Sequence, residues 1–317
     1  MATASLDDVT VPVPDVSELR ALAEAAAAEE VRPRGPVGVA VRRALAESVL
    51  RLLRNQEGAR AGEDPEAIHQ ARVATRRLRA QLASFRRLFS DPGRVVAVRR
   101  ELAWLGDALG AVREVDVMAA RLELHAAALS EHDRRGAVRM IAPLYERRAG
   151  AHARLAQVLD APRYAELLAS LRELLEAEAG SGRARKTLRR VMRARWRKLK
   201  RAAPRVTSTS NDAELHRVRI LVKRARYTAE AAAPAFGRGA ARRFGRTAAA
   251  LQDVLGAHQD VVIAERWLRE RARHASPDIA FVAGMLAEQE HRSRAEARER
   301  WPAVWRALRR GKLRFWR

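Results

Sequence analysis

The stretch "IHQARVATRRLRAQL", Ile68 to Leu82, decides the reading of this chain. Placed at 100° per residue, Ala71, Thr75, Leu78, Leu82, Phe85 and Phe89 fall in one narrow stripe, the pattern of a helix with one buried face. A second stripe, displaced by about a third of a turn, carries His69, Arg72, Arg76 and Arg79 at spacings of three and four. Like charges so placed cost a few tenths of a kcal/mol per pair in a free helix, and the stretch contains no acid to neutralise them. The compensating charge must come from outside the helix. Rungs rise about 5 Å apart along the axis, so a linear anion lying along the helix meets them better than a compact one.

The pattern is written twice. "LHRVRILVKRARYTA", Leu215 to Ala229, lies on the first copy with a shift of 147 residues: His69 falls on His216, Arg72 on Arg219, Arg76 on Lys223 and Arg79 on Arg226. Val218, Val222, Ala225, Ala229 and Phe236 take the apolar stripe of this second helix. One residue less of shift lays "LGDALGAVREVDV" from Leu105 on "LQDVLGAHQDVVI" from Leu251. Both ladder helices have start signals. Asp64-Pro65-Glu66 supplies a cap, a first-turn proline and an acid, and Asn211 stands three residues before Glu214 in a capping-box arrangement. A solvated face paired with acids of neighbouring helices would also explain one ladder, but has no reason to keep register in a second.

Outward from the ladders the chain reads all-α, rich in Ala, Leu, Arg and Glu, with Gly or Pro breaks every 15 to 25 residues or so. The break "EAGSGRAR" near residue 180 divides it into two halves, 37–180 and 181–317, after a tail over 1–36 with at most one short helix. The expected fold is a duplicated helical bundle. Among 317 residues, 62 Lys plus Arg face 38 Asp plus Glu, a net charge of +24 that anticipates a polyanionic partner. Arginine, whose planar fork matches phosphate geometry, supplies 57 of the 62, although a GC-rich genome inflates Arg and Ala together. From Arg183 to Arg226 there are 17 basic residues against two acids, Asp212 and Glu214. Within this strip Arg190, Arg193 and Arg197 keep helical spacing, which assigns helix 183–203 as a second wall of the site, with Arg43 in the matching place of the first half. A histidine at the head of each ladder would gain charge beside a bound anion; the alternative is a core histidine bonded to a carbonyl.

Other chemistries find little footing. The chain has no cysteine, which excludes disulfides, thiolate catalysis and Cys-based zinc sites. No P-loop or GxGxxG stands in a strand-to-helix context, and His125, His132, His152, His274 and His291 lack companions at ligand spacing. His258 and Asp260 in "AHQDV" do not share a helix face and read as a buttress at a helix start. No nucleophile stands with its base, so no catalytic residue, metal or cofactor is assigned. The first nineteen residues hold no Lys or Arg and no apolar core, and no apolar run reaches the roughly 18 residues of a membrane span, so a cytoplasmic protein is expected. The C-terminal "RWPAVWRALRRGKLRFWR" could grip an anionic granule or membrane surface; the competing reading packs 302–310 as a last bundle helix with fraying ends. Nucleic-acid backbone binding is the alternative for the whole chain, although only 15 aromatics are present and none interleaves with the first ladder as a stacking platform.

"HQARVATRRLR", "HRVRILVKRAR" and the two Leu-Gly segments that follow them resemble the CHAD domain family, over about residues 37–310. The resemblance implies two four-helix-type bundles related by a pseudo-twofold around a basic central cleft, and non-enzymatic binding of long-chain inorganic polyphosphate, with association with polyphosphate granules. It places His69, Arg72, Arg76, Arg79, His216, Arg219, Lys223 and Arg226 in that cleft, with Arg43, Arg190, Arg193 and Arg197 as further contacts. Arg113-Glu114 and Gln259-Asp260 stand where an Arg-Asp pair is expected, and these acids are read as buttresses. The ExExK signature of an associated triphosphatase module is absent, so that activity is not implied.

Overall fold

The computed structural model describes residues 16–203 and 210–317. Eleven α-helices are assigned among them, with no strand: α1 (Ser17–Ala28), α2 (Val37–Ala61), α3 (Pro65–Phe85), α4 (Pro92–Ala126), α5 (Glu131–Ile141), α6 (Pro143–Asp160), α7 (Pro162–Glu176), α8 (Ala184–Ala202), α9 (Asp212–Phe236), α10 (Arg238–Ala272) and α11 (Pro277–Leu308). The order α2–α3–α4 is echoed by α8–α9–α10, and α4 and α10 are both 35 residues long.

The ladder helices start as their sequences dictate. The Asp64 carboxylate accepts from Glu66 N–H at 2.8 Å with Pro65 opening α3, and the Asn211 carbonyl oxygen accepts from Glu214 N–H at 3.0 Å to cap α9. Their apolar stripes are buried as expected, Leu78 and Leu82 on α3 and Val222 and Ala229 on α9 among them. The two helices meet directly, the hydroxyls of Ser84 and Thr228 lying 2.9 Å apart.

The apolar interior has two parts. The larger gathers α1, α2, α3, α6 to α9 and the C-terminal part of α11 around the first parts of α4 and α10, up to Val112 and Leu255. The smaller begins at Val115 and Ala264 and joins the far ends of α4 and α10 to α5 and α11 through Leu122, Met140, Ile141 and Leu286. On α10 the polar residues His258, Gln259 and Asp260 fall between the two cores.

Two expectations are revised. The second part of the 1–36 tail is packed: α1 buries Leu19, Ala23 and Ala26, and Glu29 receives the Arg42 guanidinium at 2.9 and 3.1 Å; residues 1–15 lie outside the described residues. The C-terminal residues do not fray. Trp316 is 2% exposed and packs against Phe244 and Trp196, with ring centroids 5.0 and 5.9 Å away. Trp301 and Trp305 are buried as well, which withdraws these three rings from any surface-gripping role.

Candidate functional site

The ladders converge on a cavity of about 590 Å³ between α3 and α9 on one side and the middles of α4 and α10 on the other. His69, Arg72 and Arg76 line it from α3, and Arg219, Lys223 and Arg226 from α9. α4 adds Arg113 and Arg121, α2 adds Arg51, and α10 contributes Asp253 and Asp260. A recess of about 220 Å³, sharing Arg72, Arg113, Arg121, Arg219 and Asp260, leads on to His216, which is exposed.

Not every expected residue is here. Arg79 turns toward α4, its Nη1 3.5 Å from where a Cβ on Gly106 would stand, and does not line the cavity. Arg43 lies in a groove of about 550 Å³ at one end of α9, and Arg190 in another of about 740 Å³ beside the C-terminal end of α3. Arg193 and Arg197 line neither groove and are exposed. The second wall is therefore α4 and α10, not α8: that helix commits Leu188, Met192, Trp196 and Leu199 to the core, which leaves positions 193 and 197 facing solvent.

The repeated Leu-Gly segments have a packing reason that the ladders alone do not reveal. Arg72 lies across Gly110 of α4, and Arg219 across Gly256 of α10, where an added Cβ would sit 3.8 and 3.3 Å from guanidinium nitrogens. A glycine in each partner helix lets the guanidinium lie against backbone.

The rim of the cavity is charge-paired and its interior is not. Arg121 grips fully buried Glu290 through Nε at 2.7 and 2.6 Å, Arg226 donates to Glu230 at 2.8 Å and Gln252 at 3.1 Å, and Arg77 meets Glu230 at 3.0 Å. Arg72, Arg76, Arg219 and Lys223 form no ion pair or side-chain hydrogen bond among the described residues, and the Nε atoms of Arg76 and Arg219 are buried without a partner. Burial, reinforced by Arg76 and Arg219, lowers the Arg72 pKa to about 10. Burial with Arg219, Arg76 and Arg72 nearby brings Lys223 down to about 7. Burial lowers His69 too, with Arg113 adding to it, which favours the neutral ring in the empty site. Burial raises the pKa of Asp260, although Arg219 pulls the other way.

One further reading changes in detail. His258 is a buttress, accepting from Arg294 Nε at 3.4 Å and Arg298 Nε at 3.1 Å, but it stands in the middle of α10 rather than at a helix start. Asp116 receives Arg148 Nε at 2.7 Å away from the cavity. Among the described residues no group of three His, Asp or Glu could hold a metal ion, and no helix is long and apolar enough to cross a membrane.

A helical chain in which two His/Arg-ladder helices meet along one side of a strongly cationic cavity, with two long helices closing the other side, defines a recognisable class of helical domain. The CHAD domain model matches residues 43–269, and the chain belongs to that family. Among solved structures it is similar to the CHAD domain from the plant Ricinus communis, at 29% identity and a TM-score of 0.73, covering 89% of this chain and 96% of that one. PptA from Streptomyces chartreusis shares the fold, with a TM-score of 0.70 at 22% identity over 86% of this chain and 99% of that chain. The uncharacterized protein Rv2226 of Mycobacterium tuberculosis (strain ATCC 25618 / H37Rv) is 29% identical over 97% of this chain and 61% of its own length; MT2285 of strain CDC 1551 / Oshkosh matches to the same extent. The chain thus spans about three-fifths of the length of these curated relatives.

Proposed function

We propose that the protein binds long-chain inorganic polyphosphate in the cavity between α3, α4, α9 and α10, without turning it over. The observation that carries this reading is the set Arg72, Arg76, Arg219 and Lys223, four cations brought together without an acid bonded to any of them. Cations assembled in this way destabilise the empty protein and are relieved by a ligand that brings several negative charges in a row. His69 joins as an added donor once the anion favours its charged form, and His216 lines the recess that leads on from the cavity. Association with polyphosphate granules would follow from such binding.

Nucleic acid fits less well. Tyr227, the aromatic residue in the cavity lining, is 3% exposed, with the Arg77 and Arg226 guanidiniums 5.4 and 5.8 Å from its ring centroid, so a base finds no platform.

The test is to replace Arg72, Arg76, Arg219 and Lys223 together by Ala and titrate long-chain polyphosphate, with duplex DNA and RNA as competitors at equal phosphate concentration. Loss of binding in a folded quadruple variant, with nucleic acid a poor competitor, is expected. Retained affinity, effective competition by nucleic acid, or phosphate release in magnesium or manganese would overturn the reading.

A further inference from the structure

We propose a second, separate phosphate-chain site in the groove of about 740 Å³ formed by the C-terminal end of α3, the 3-10 turn Arg86–Leu88, α4 and α8. Six cations line it, Arg86, Arg87, Arg99, Arg190, Arg195 and Lys198, and no acid does. The proposal extends the polyphosphate reading above and rests on it for the ligand class.

The protein contains its own control. The groove of about 550 Å³ near the C-terminal end of α9 is lined by the corresponding parts of α2, α9 and α10. Under the shift of 147 residues, its Arg43 corresponds to Arg190. That groove is partly neutralised: of its four lining arginines Glu47 takes Arg43 at 3.2 Å and Glu230 takes Arg226 at 2.8 Å, with Arg77 also reaching Glu230 at 3.0 Å, while Arg242 and Arg246 stand further along it. Under the same shift Glu47 falls on Ala194 and Glu230 on Ala83, so the α3–α4–α8 groove has alanine in both places where its counterpart has an acid.

Its cations are also held in place. Arg195 Nη2 donates to the Ala83 carbonyl at 2.6 Å and Arg99 Nε to the Arg79 carbonyl at 3.3 Å, which fixes both guanidiniums while leaving further N–H groups to the groove. Burial lowers the pKa of both, with Arg224 the next cause in each case and no acid opposing it. An anchored, unneutralised guanidinium pair, flanked by exposed Arg190 and Lys198, suits a run of phosphates. Leu88, Val191 and Ala194 complete the lining without an aromatic ring, which favours an inorganic chain over one carrying bases.

The test restores the missing acids. Ala83→Glu with Ala194→Glu copies the two acids of the other groove into this one, and a second variant, Arg190→Ala with Lys198→Ala, removes two exposed cations that bear little on folding. Both are titrated with tripolyphosphate as a short probe and with long-chain polyphosphate, beside the wild type and the quadruple Ala variant of the central cavity. We expect two tripolyphosphate sites in the wild type. Each groove variant should lose one of them or weaken it by about tenfold or more, and the double-Glu variant should melt no lower than wild type because it relieves repulsion. The central variant should keep the groove site. Groove variants with wild-type stoichiometry and affinity for both probes would overturn the proposal and leave the central reading standing. Loss of all binding in the groove variants, with none lost in the central variant, would overturn the central reading instead.

Discussion

Affinity for polyphosphate should fall steeply between pH 7 and pH 9, and Lys223 should be the cause. In the empty cavity its pKa stands at about 7, because burial and the nearby Arg219, Arg76 and Arg72 disfavour the ammonium. A phosphate chain supplies the missing negative charge and returns the group toward the ordinary lysine value of roughly 10.4. Between those two values the complex holds a proton that the free protein lacks, so binding takes up a proton and weakens as pH rises. With a bound value near 10.4, the linkage gives about a 50-fold loss from pH 7 to pH 9, or about 2.3 kcal/mol at 1.36 kcal/mol per pH unit of full coupling. Interior phosphates of the chain stay ionised across this window and do not contribute. Lys223→Arg keeps the charge and removes this titration, so its affinity should lose most of the slope over the same range, with His69 left as the smaller contributor. Titration calorimetry in buffers of different ionisation enthalpy reads the proton directly. A wild-type affinity that does not change with pH, or an Arg variant with the same slope, would refute this account of the cavity.

The glycines that receive the ladder guanidiniums should respond unequally. Gly110→Ala gains about 0.5–1 kcal/mol of helix stability with little loss of binding, since its Cβ finds ordinary contact at 3.8 Å, whereas Gly256→Ala pushes at 3.3 Å on Arg219 and should weaken polyphosphate binding several-fold; paired melts and titrations compare them. Glu290→Ala strands Arg121 and should cost about 3 kcal/mol in urea unfolding, because its carboxylate is fully buried in that pair. Trp316→Ala should cost roughly 3–5 kcal/mol by opening a cavity against Phe244 and Trp196, a loss that a frayed terminus would not show.

The ladders and their caps were legible because each is local: a 3.6-residue period, a proline at the first turn of α3 and an Asn–Glu spacing at the start of α9 need no tertiary partner. Which cations converge was not, because that depends on where helices cross. Arg113 and Arg121 sit singly on α4 without a ladder of their own, yet the repeated Leu-Gly that packs beneath Arg72 and Arg219 was visible in the sequence. Arg193 and Arg197 carried the same charge signal as Arg190, and only the burial of Trp196 and Met192 sets their facing. The break before Pro143 is weakly marked because good helix formers flank it on both sides. The tail "RRGKLRFWR" reads as the fraying end of the last helix, and its two aromatics decide otherwise by filling space beside Phe236 and Phe244.

The division of the apolar interior has a mechanical consequence. α4 and α10, each about 52 Å long at 1.5 Å per residue, are anchored in one core at their beginnings and in another at their ends. They act as struts across the gap in which the cations repel one another. The spacing of those cations is then set by two distant apolar clamps rather than by the cations themselves, and a chain arriving there has little rearrangement to drive. Loosening the smaller clamp, around Leu122, Ile141 and Leu286, should let the strut ends splay and blur the spacing without touching a single charged residue.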